Sequence, residues 1–150
     1  MYHEVDNEIQ DKIDDLLVNY QQAALGTMGE RFPHVSKVMP LFHNGEIYLL
    51  LSDLSEHTKN IMESKRVSIY VAAEEKHGTR LNNPRYTMMG KLYPVPYTND
   101  KQGDRYQSML QKFDEVDTGA TFYGTFGDFN IYRFEMFDHL YVEGFGKAYK

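Results

Sequence analysis

The sequence predicts a mainly β domain, a closed antiparallel barrel decorated with helices. Three observations lead there. Six or seven short apolar runs recur, the clearest of them alternating inward and outward residues. Turn residues, among them Gly29, Asn44-Gly45 and Asn82-Asn83-Pro84, punctuate the runs. Helical periodicity is confined to a few segments, and no repeat, low-complexity tract or linker divides the chain. At 150 residues the chain makes one domain, large enough to bury about two-thirds of its unfolded surface.

The elements follow in order. Val5, Ile9, Ile13, Leu16, Leu17 and Tyr20 recur at three- and four-residue steps, with Asp11, Asp14 and Asp15 opposite, so residues 5–21 form an amphipathic helix. Strands are expected at 23–28, 34–42, 46–52 and 66–73. His43-Asn44-Gly45 joins the second and third as a hairpin, because Asn-Gly suits the positive-φ positions of a tight turn. In the fourth, Val67, Ile69 and Val71 alternate with Ser68 and Tyr70. A short helix at 54–64 turns Leu54, Ile61 and Met62 inward, and 74–84 is a loop. A strand follows at 86–95, broken by Pro94 and Pro96, then a helix at 102–113 through Tyr106, Met109, Leu110 and Phe113. Strands at 129–136 and 139–145, joined around Phe137-Asp138, close the chain.

Composition narrows the function. The net charge of −6 argues against a nucleic-acid polymer as partner, which needs a basic stripe. Basic residues cluster locally at 59–66 and 80–85, which suits a small anionic ligand better. No run approaches the ~18 apolar residues of a membrane span, and the acidic start lacks a signal-peptide pattern, so a cytoplasmic protein is expected. With no cysteine there is no disulfide framework and no thiol chemistry. His3, His34, His43, His57, His77 and His139 show no metal-ligand spacing, so no metal site is read from the sequence. No serine sits in a nucleophile elbow, and Gly144-Phe145-Gly146 follows a strand without opening a helix, which excludes a dinucleotide loop.

The segment 51–60 carries the chemistry. Ser52 ends a strand, Ser55 is placed to cap a helix, and the amides of residues 56–58 open it. Such a turn can seat a phosphate, with Lys59 adding charge and His57 or Thr58 a directional donor. A capped helix with Lys59 in water is the plain alternative. Phe129, Tyr132, Phe134, Tyr141, Phe145 and Tyr149 on the last strands read first as core and dimer packing, and second as an aromatic wall for a planar ring system.

A set of strings in order carries a family resemblance. They are Leu25-Gly26-Thr27, Pro33-His34-Val35-Ser36 with Pro40, Leu51-Ser52 with His57-Thr58-Lys59-Asn60, Arg66-Val67-Ser68, Arg85 before Tyr86-Thr87-Met88-Met89-Gly90, Asp128-Phe129 with Tyr132-Arg133-Phe134, and Gly144-Phe145-Gly146-Lys147-Ala148-Tyr149. From about residue 23 to 150 the chain resembles the FMN-binding split-barrel superfamily, that of pyridoxamine 5′-phosphate oxidase, and within it the haem-utilisation branch of HugZ/HutZ type.

The resemblance implies a six-stranded antiparallel split barrel, working as a homodimer with two sites at the interface for a small-molecule ligand. It implies FMN as cofactor, with Ser36, Lys37, Val38 and Met39 beside the isoalloxazine ring, Ser52, His57, Thr58 and Lys59 at the phosphate, and Arg85 near the cofactor. The function it leads to is a flavin-dependent oxidoreductase with no catalytic residue assigned. Ser36 and Leu41 stand where the oxidases carry basic residues, and His57-Thr58 where they carry Arg-Lys; the oxidases' C-terminal substrate-binding segment has no counterpart. Haem binding in iron utilisation is the alternative, and a barrel serving purely as a binding module is the third reading. The haem branch ligates iron through a histidine beyond the Gly-Phe-Gly-x-Ala-Tyr string; no histidine follows His139 here, so His34, His43 and His139 are the ligands to examine.

Overall fold

The computed structural model describes residues 1–76 and 78–150. Its elements are α1 (Asn7–Asn19), β1 (Gln22–Met28), β2 (Pro33–Lys37), β3 (Leu41–His43), β4 (Glu46–Ser52), α2 (Glu56–Glu63), β5 (Arg66–Ala72), β6 (Arg85–Pro94), a 3-10 turn (Pro96–Asn99), α3 (Asp104–Val116), α4 (Ala120–Tyr123), β7 (Phe129–Gly144) and β8 (Lys147–Tyr149). The strands form one sheet in the order β2-β1-β5-β6-β7-β4-β3, with β8 added to β7, and all the named strand pairs are antiparallel. The mainly β class and the barrel architecture hold.

The strand count departs from six for two physical reasons. The run expected at 34–42 divides at Val38-Met39-Pro40, because proline has no N–H to give the ladder. The runs expected at 129–136 and 139–145 are one strand. Met136 lies opposite Gly90 and Asp138 opposite Met89, which leaves Phe137 as the extra residue of a β-bulge rather than a turn. The short strand β8 and the helix α4 were not anticipated. Asn44 (φ 51°) and Gly45 (φ 76°) do form the expected tight hairpin.

Two cores hold the molecule. Inside the barrel, Leu25, Leu49, Ile69, Met88 and Leu92 meet Ile9, Ile13, Leu16 and Leu17 of α1, which closes one end. Asp6 caps α1 by accepting the Ile9 N–H at 2.9 Å, and the Tyr20 hydroxyl donates to the Pro40 carbonyl at 2.7 Å. A second core packs Tyr106, Leu110 and Phe113 of α3 against Leu41, Val95 and Ile131 on the other side of the sheet.

The short helix α2 sits differently from expectation. Leu54 and Met62 are 76% and 74% exposed, while Thr58 and Ile61 face inward. Leu54 precedes the first helical turn, so it does not share the buried face. Asn60 Nδ2 donates to Thr27 Oγ1 at 3.0 Å and ties α2 to β1. Thr27 is 3% exposed, so Asn60→Ala leaves a buried hydroxyl without its partner. The expected cost is about 1–2 kcal/mol, measured by denaturant unfolding.

Candidate functional site

The turn from β4 into α2 is stitched to the start of β7. Ser52 Oγ donates to Asp128 Oδ2 at 2.6 Å and accepts the Leu54 N–H at 3.1 Å. The Asp53 N–H donates to the Asp128 carbonyl at 2.7 Å. Asn130 Nδ2 donates to both Asp53 carboxylate oxygens at 3.0 and 2.9 Å, and Lys101 Nζ donates to Asn130 Oδ1 at 3.0 Å. Ser55 occupies the N-cap, but its side chain makes no capping hydrogen bond.

This network changes the electrostatics expected for the turn. Two carboxylates, Asp53 and Asp128, stand at it, and the Ser52 hydroxyl hydrogen is already committed to one of them. His57 Nδ1 lies 3.0 Å from Ser36 Oγ. Burial, and then the neighbouring His34, hold the His57 pKa below its ordinary value, which disfavours the charged ring. Thr58 is fully buried.

Five of the expected cofactor residues, Lys37, Val38, Met39, Ser52 and His57, line one cavity of about 320 Å³. Ser36 joins them through His57. The opposite wall comes from Phe129, one of the aromatic residues read as a possible wall for a planar ring, and from three residues the sequence did not single out for a site: Phe113, Asp117 and Tyr123. Tyr123 packs on Phe129 with ring centroids 5.0 Å apart, and its hydroxyl donates to Asp117 at 2.5 Å. Lys59 borders a separate cavity of about 930 Å³ with His34 and Asn60. Arg85 lies at the far end of β6 from Lys91, where Nη1 donates to the carbonyls of Leu81 (2.7 Å) and Asn83 (3.2 Å).

Asp114 sets the aromatic wall. Its Oδ1 accepts the Gly119 N–H at 2.9 Å and the Thr121 N–H at 3.4 Å, anchoring the turn that carries Tyr123. These hydrogen bonds, that of Gly119 first, hold the Asp114 pKa below its ordinary 3.8. A depressed carboxylate stabilises the fold above its unfolded pKa, and that stability is lost as pH falls through the folded value. Asp114→Asn should therefore flatten the acid limb of a melting-temperature profile below about pH 4 relative to the parent protein.

A larger groove of about 530 Å³ runs over the outer face of the sheet. Met28, Val35, Met89 and Phe137 line it, and Arg66 and Lys91, directly opposite each other across β5 and β6, also border it. Val35 and Phe137 are 71% and 63% exposed. Lys91 Nζ stands 5.4 Å from the Phe137 ring centroid. No ion pair involving Arg66 or Lys91 is present among the described residues. The sequence signal for this groove is small and apolar residues at outward strand positions, Gly26, Val35 and Met89, where a solvated face is ordinarily polar.

The histidines considered as iron ligands are dispersed. His34 pairs in register with the buried Thr27, so β2 turns it toward α2. His43 ends β3 at the hairpin, and His139 Nδ1 is 2.5 Å from the Tyr86 hydroxyl. His77 lies outside the described residues. Among the described residues no helix is long and apolar enough to cross a membrane.

Comparison with known proteins places this geometry. The family model described as CREG, beta-barrel, matches residues 19–150. Heme oxygenase HutZ of Vibrio cholerae is 28% identical over 120 residues, covering 79% of this chain and 66% of that protein. Among solved structures, a heme binding protein from Mycobacterium smegmatis aligns with a TM-score of 0.74 at 22% identity, over 87% of this chain and 52% of its own. Campylobacter jejuni ChuZ aligns with a TM-score of 0.79 at 17% identity, over 97% of this chain and 60% of its own. The chain thus spans about two-thirds or less of each of these relatives. At such identities the two structures attest the fold alone.

Proposed function

This chain belongs to the CREG β-barrel family, related to the haem-utilisation split barrels, and from that premise we propose that it binds haem in haem-iron utilisation. The observation that carries the reading is the outer groove. Haem is a flat apolar ring with two carboxylates on one edge. The groove offers an apolar lining in Met28, Val35, Met89 and Phe137, with two cations, Arg66 and Lys91, beside it. That donor set fits the propionates as charge-assisted partners and the ring as an apolar one. Bound haem would supply the iron and a strong visible absorbance; the chain's residues shield the ring and hold its carboxylates.

A homodimer completes the same face. Val35, Phe137 and the neighbouring Phe32 leave large apolar surface in water, and a second copy laid over it would enclose the groove from above. Sedimentation equilibrium should return twice the mass of the 17.6 kDa chain; a monomer at micromolar concentration refutes this part of the proposal.

The convergence of Lys37, Val38, Met39, Ser52 and His57 on the smaller cavity favours a second reading, an FMN-dependent oxidoreductase. Against it stand Asp53 and Asp128 at the turn where a phosphate would sit, and a His57 whose charged form is disfavoured by burial. Titration of the purified protein with haemin and, separately, with FMN decides between them. A sharpened Soret band that survives gel filtration supports haem. Retention of FMN with no haemin response establishes the flavin reading instead.

A further inference from the structure

Three buried side-chain atoms have no hydrogen-bond partner among the described residues: His34 Nδ1, His57 Nε2 and Thr58 Oγ1. All three come from β2 and α2, which pack on each other. A buried polar atom without a partner is rare and calls for an explanation, and three on two packed elements point to a shared guest.

We propose that His34 Nδ1 and His57 Nε2 form a two-imidazole site for a divalent cation of the zinc class, with Thr58 Oγ1 and water completing its shell. The chemistry follows from which atoms are left free. Ser36 Oγ lies 3.0 Å from His57 Nδ1; in the tautomer where Nδ1–H donates to that hydroxyl, Nε2 carries the lone pair a metal takes. A ligating imidazole held through its other nitrogen is the usual arrangement around a metal. Both ligands are neutral nitrogen donors, which suits borderline cations such as Zn²⁺ and not Ca²⁺ or Mg²⁺, which take oxygen. His34 also borders the 930 Å³ cavity beside α2, which supplies an entry path.

Sequence spacing does not reveal such a pair, because its members sit on a strand and a helix 23 positions apart. Nor do three His, Cys, Asp or Glu side chains gather anywhere among the described residues. The site therefore rests on two imidazoles and a hydroxyl, and affinity should be micromolar rather than that of a closed structural zinc site. His57 also lines the smaller cavity and His34 the outer groove, so the titration is made on protein free of haem and flavin.

The test is calorimetric titration of the metal-free protein with Zn²⁺, repeated on His34→Gln and His57→Gln. One Zn²⁺ per protomer is expected, with affinity falling at least tenfold in each variant. A circular-dichroism melt of each variant checks its fold. Long-range ¹H–¹⁵N spectra of the histidine side chains in the unaltered protein provide a reading free of mutation. Zn²⁺ should shift the ring signals of His34 and His57 while leaving those of exposed His3 in place. Absence of uptake, uptake unchanged in both variants, or shifts confined to other histidines overturns the proposal.

Discussion

Gly90→Ala lowers the stability of this domain by about 3 kcal/mol or more, a drop in Tm of roughly 10 °C. Gly90 lies at the bulge where β6 meets β7, opposite Met136 and next to the extra residue Phe137. A Cβ built on Gly90 overlaps the carbonyl oxygen of Glu135 and falls 2.9 Å from its carbon and 3.0 Å from Phe134 Cζ. The obstruction is backbone in the middle of a ten-residue strand, so relief requires β6 and β7 to separate. That pair joins the β5 side of the sheet to the β4 side, and the groove crosses it. Thermal unfolding by circular dichroism reads the effect. A Tm within 2 °C of the parent would mean that the two strands are not held at this distance.

Reversing both charges beside the groove, Arg66→Glu with Lys91→Glu, weakens haemin binding by about a hundredfold while leaving Tm nearly unchanged. Each cation's contact with a propionate at a solvated edge contributes about 0.5–1 kcal/mol, and a like charge in its place opposes binding by a similar amount. Over two positions the difference is about 3 kcal/mol, which is a hundredfold in Kd. The salt dependence should also reverse, because added salt then screens a repulsion where it screened an attraction in the parent. Neither residue forms an ion pair in the fold among the described residues, so the folded state loses little. Unchanged haemin affinity in the doubly reversed protein, with FMN binding also unchanged, would remove the groove as the haem site.

Much of the fold was legible because local patterning and burial agree. The alternation of Val67, Ile69 and Val71 is the inward face of β5, and the three- and four-residue steps from Ile9 to Leu17 are the buried stripe of α1. Asn44-Gly45 made its turn for reasons contained in two residues. Misreadings arose where a distant partner decided the outcome. Phe137-Asp138 looks like a break because the alternation slips there, and a slip is the signature of a bulge as much as of a turn. Leu54 and Met62 are apolar enough to be core, yet the face of α2 that meets β1 is the one bearing Thr58 and Ile61.

The site divides along the same line. The segment 51–60 was identifiable as a chemically loaded turn, and the structure does bring Ser52 and His57 to one cavity with Lys37, Val38 and Met39. What the turn can hold was decided by a residue 76 positions away, Asp128, which takes the Ser52 hydroxyl and adds a negative charge. Arg85 was placed with the cofactor by resemblance; within the protomer its Nη1 donates to the carbonyls of Leu81 and Asn83.

By itself the sequence determined the class of fold, the strand and helix periods, one hairpin turn and the family, since each of these is written in neighbouring residues and their order. Only the tertiary structure decided which side chains share a cavity, that an apolar groove flanked by Arg66 and Lys91 opens on the outer face, and that two histidines on packed elements each keep a buried ring nitrogen without a partner among the described residues. These depend on strand register, where a shift of one residue turns every side chain to the opposite face. Register is set by long-range packing, which no window of sequence contains.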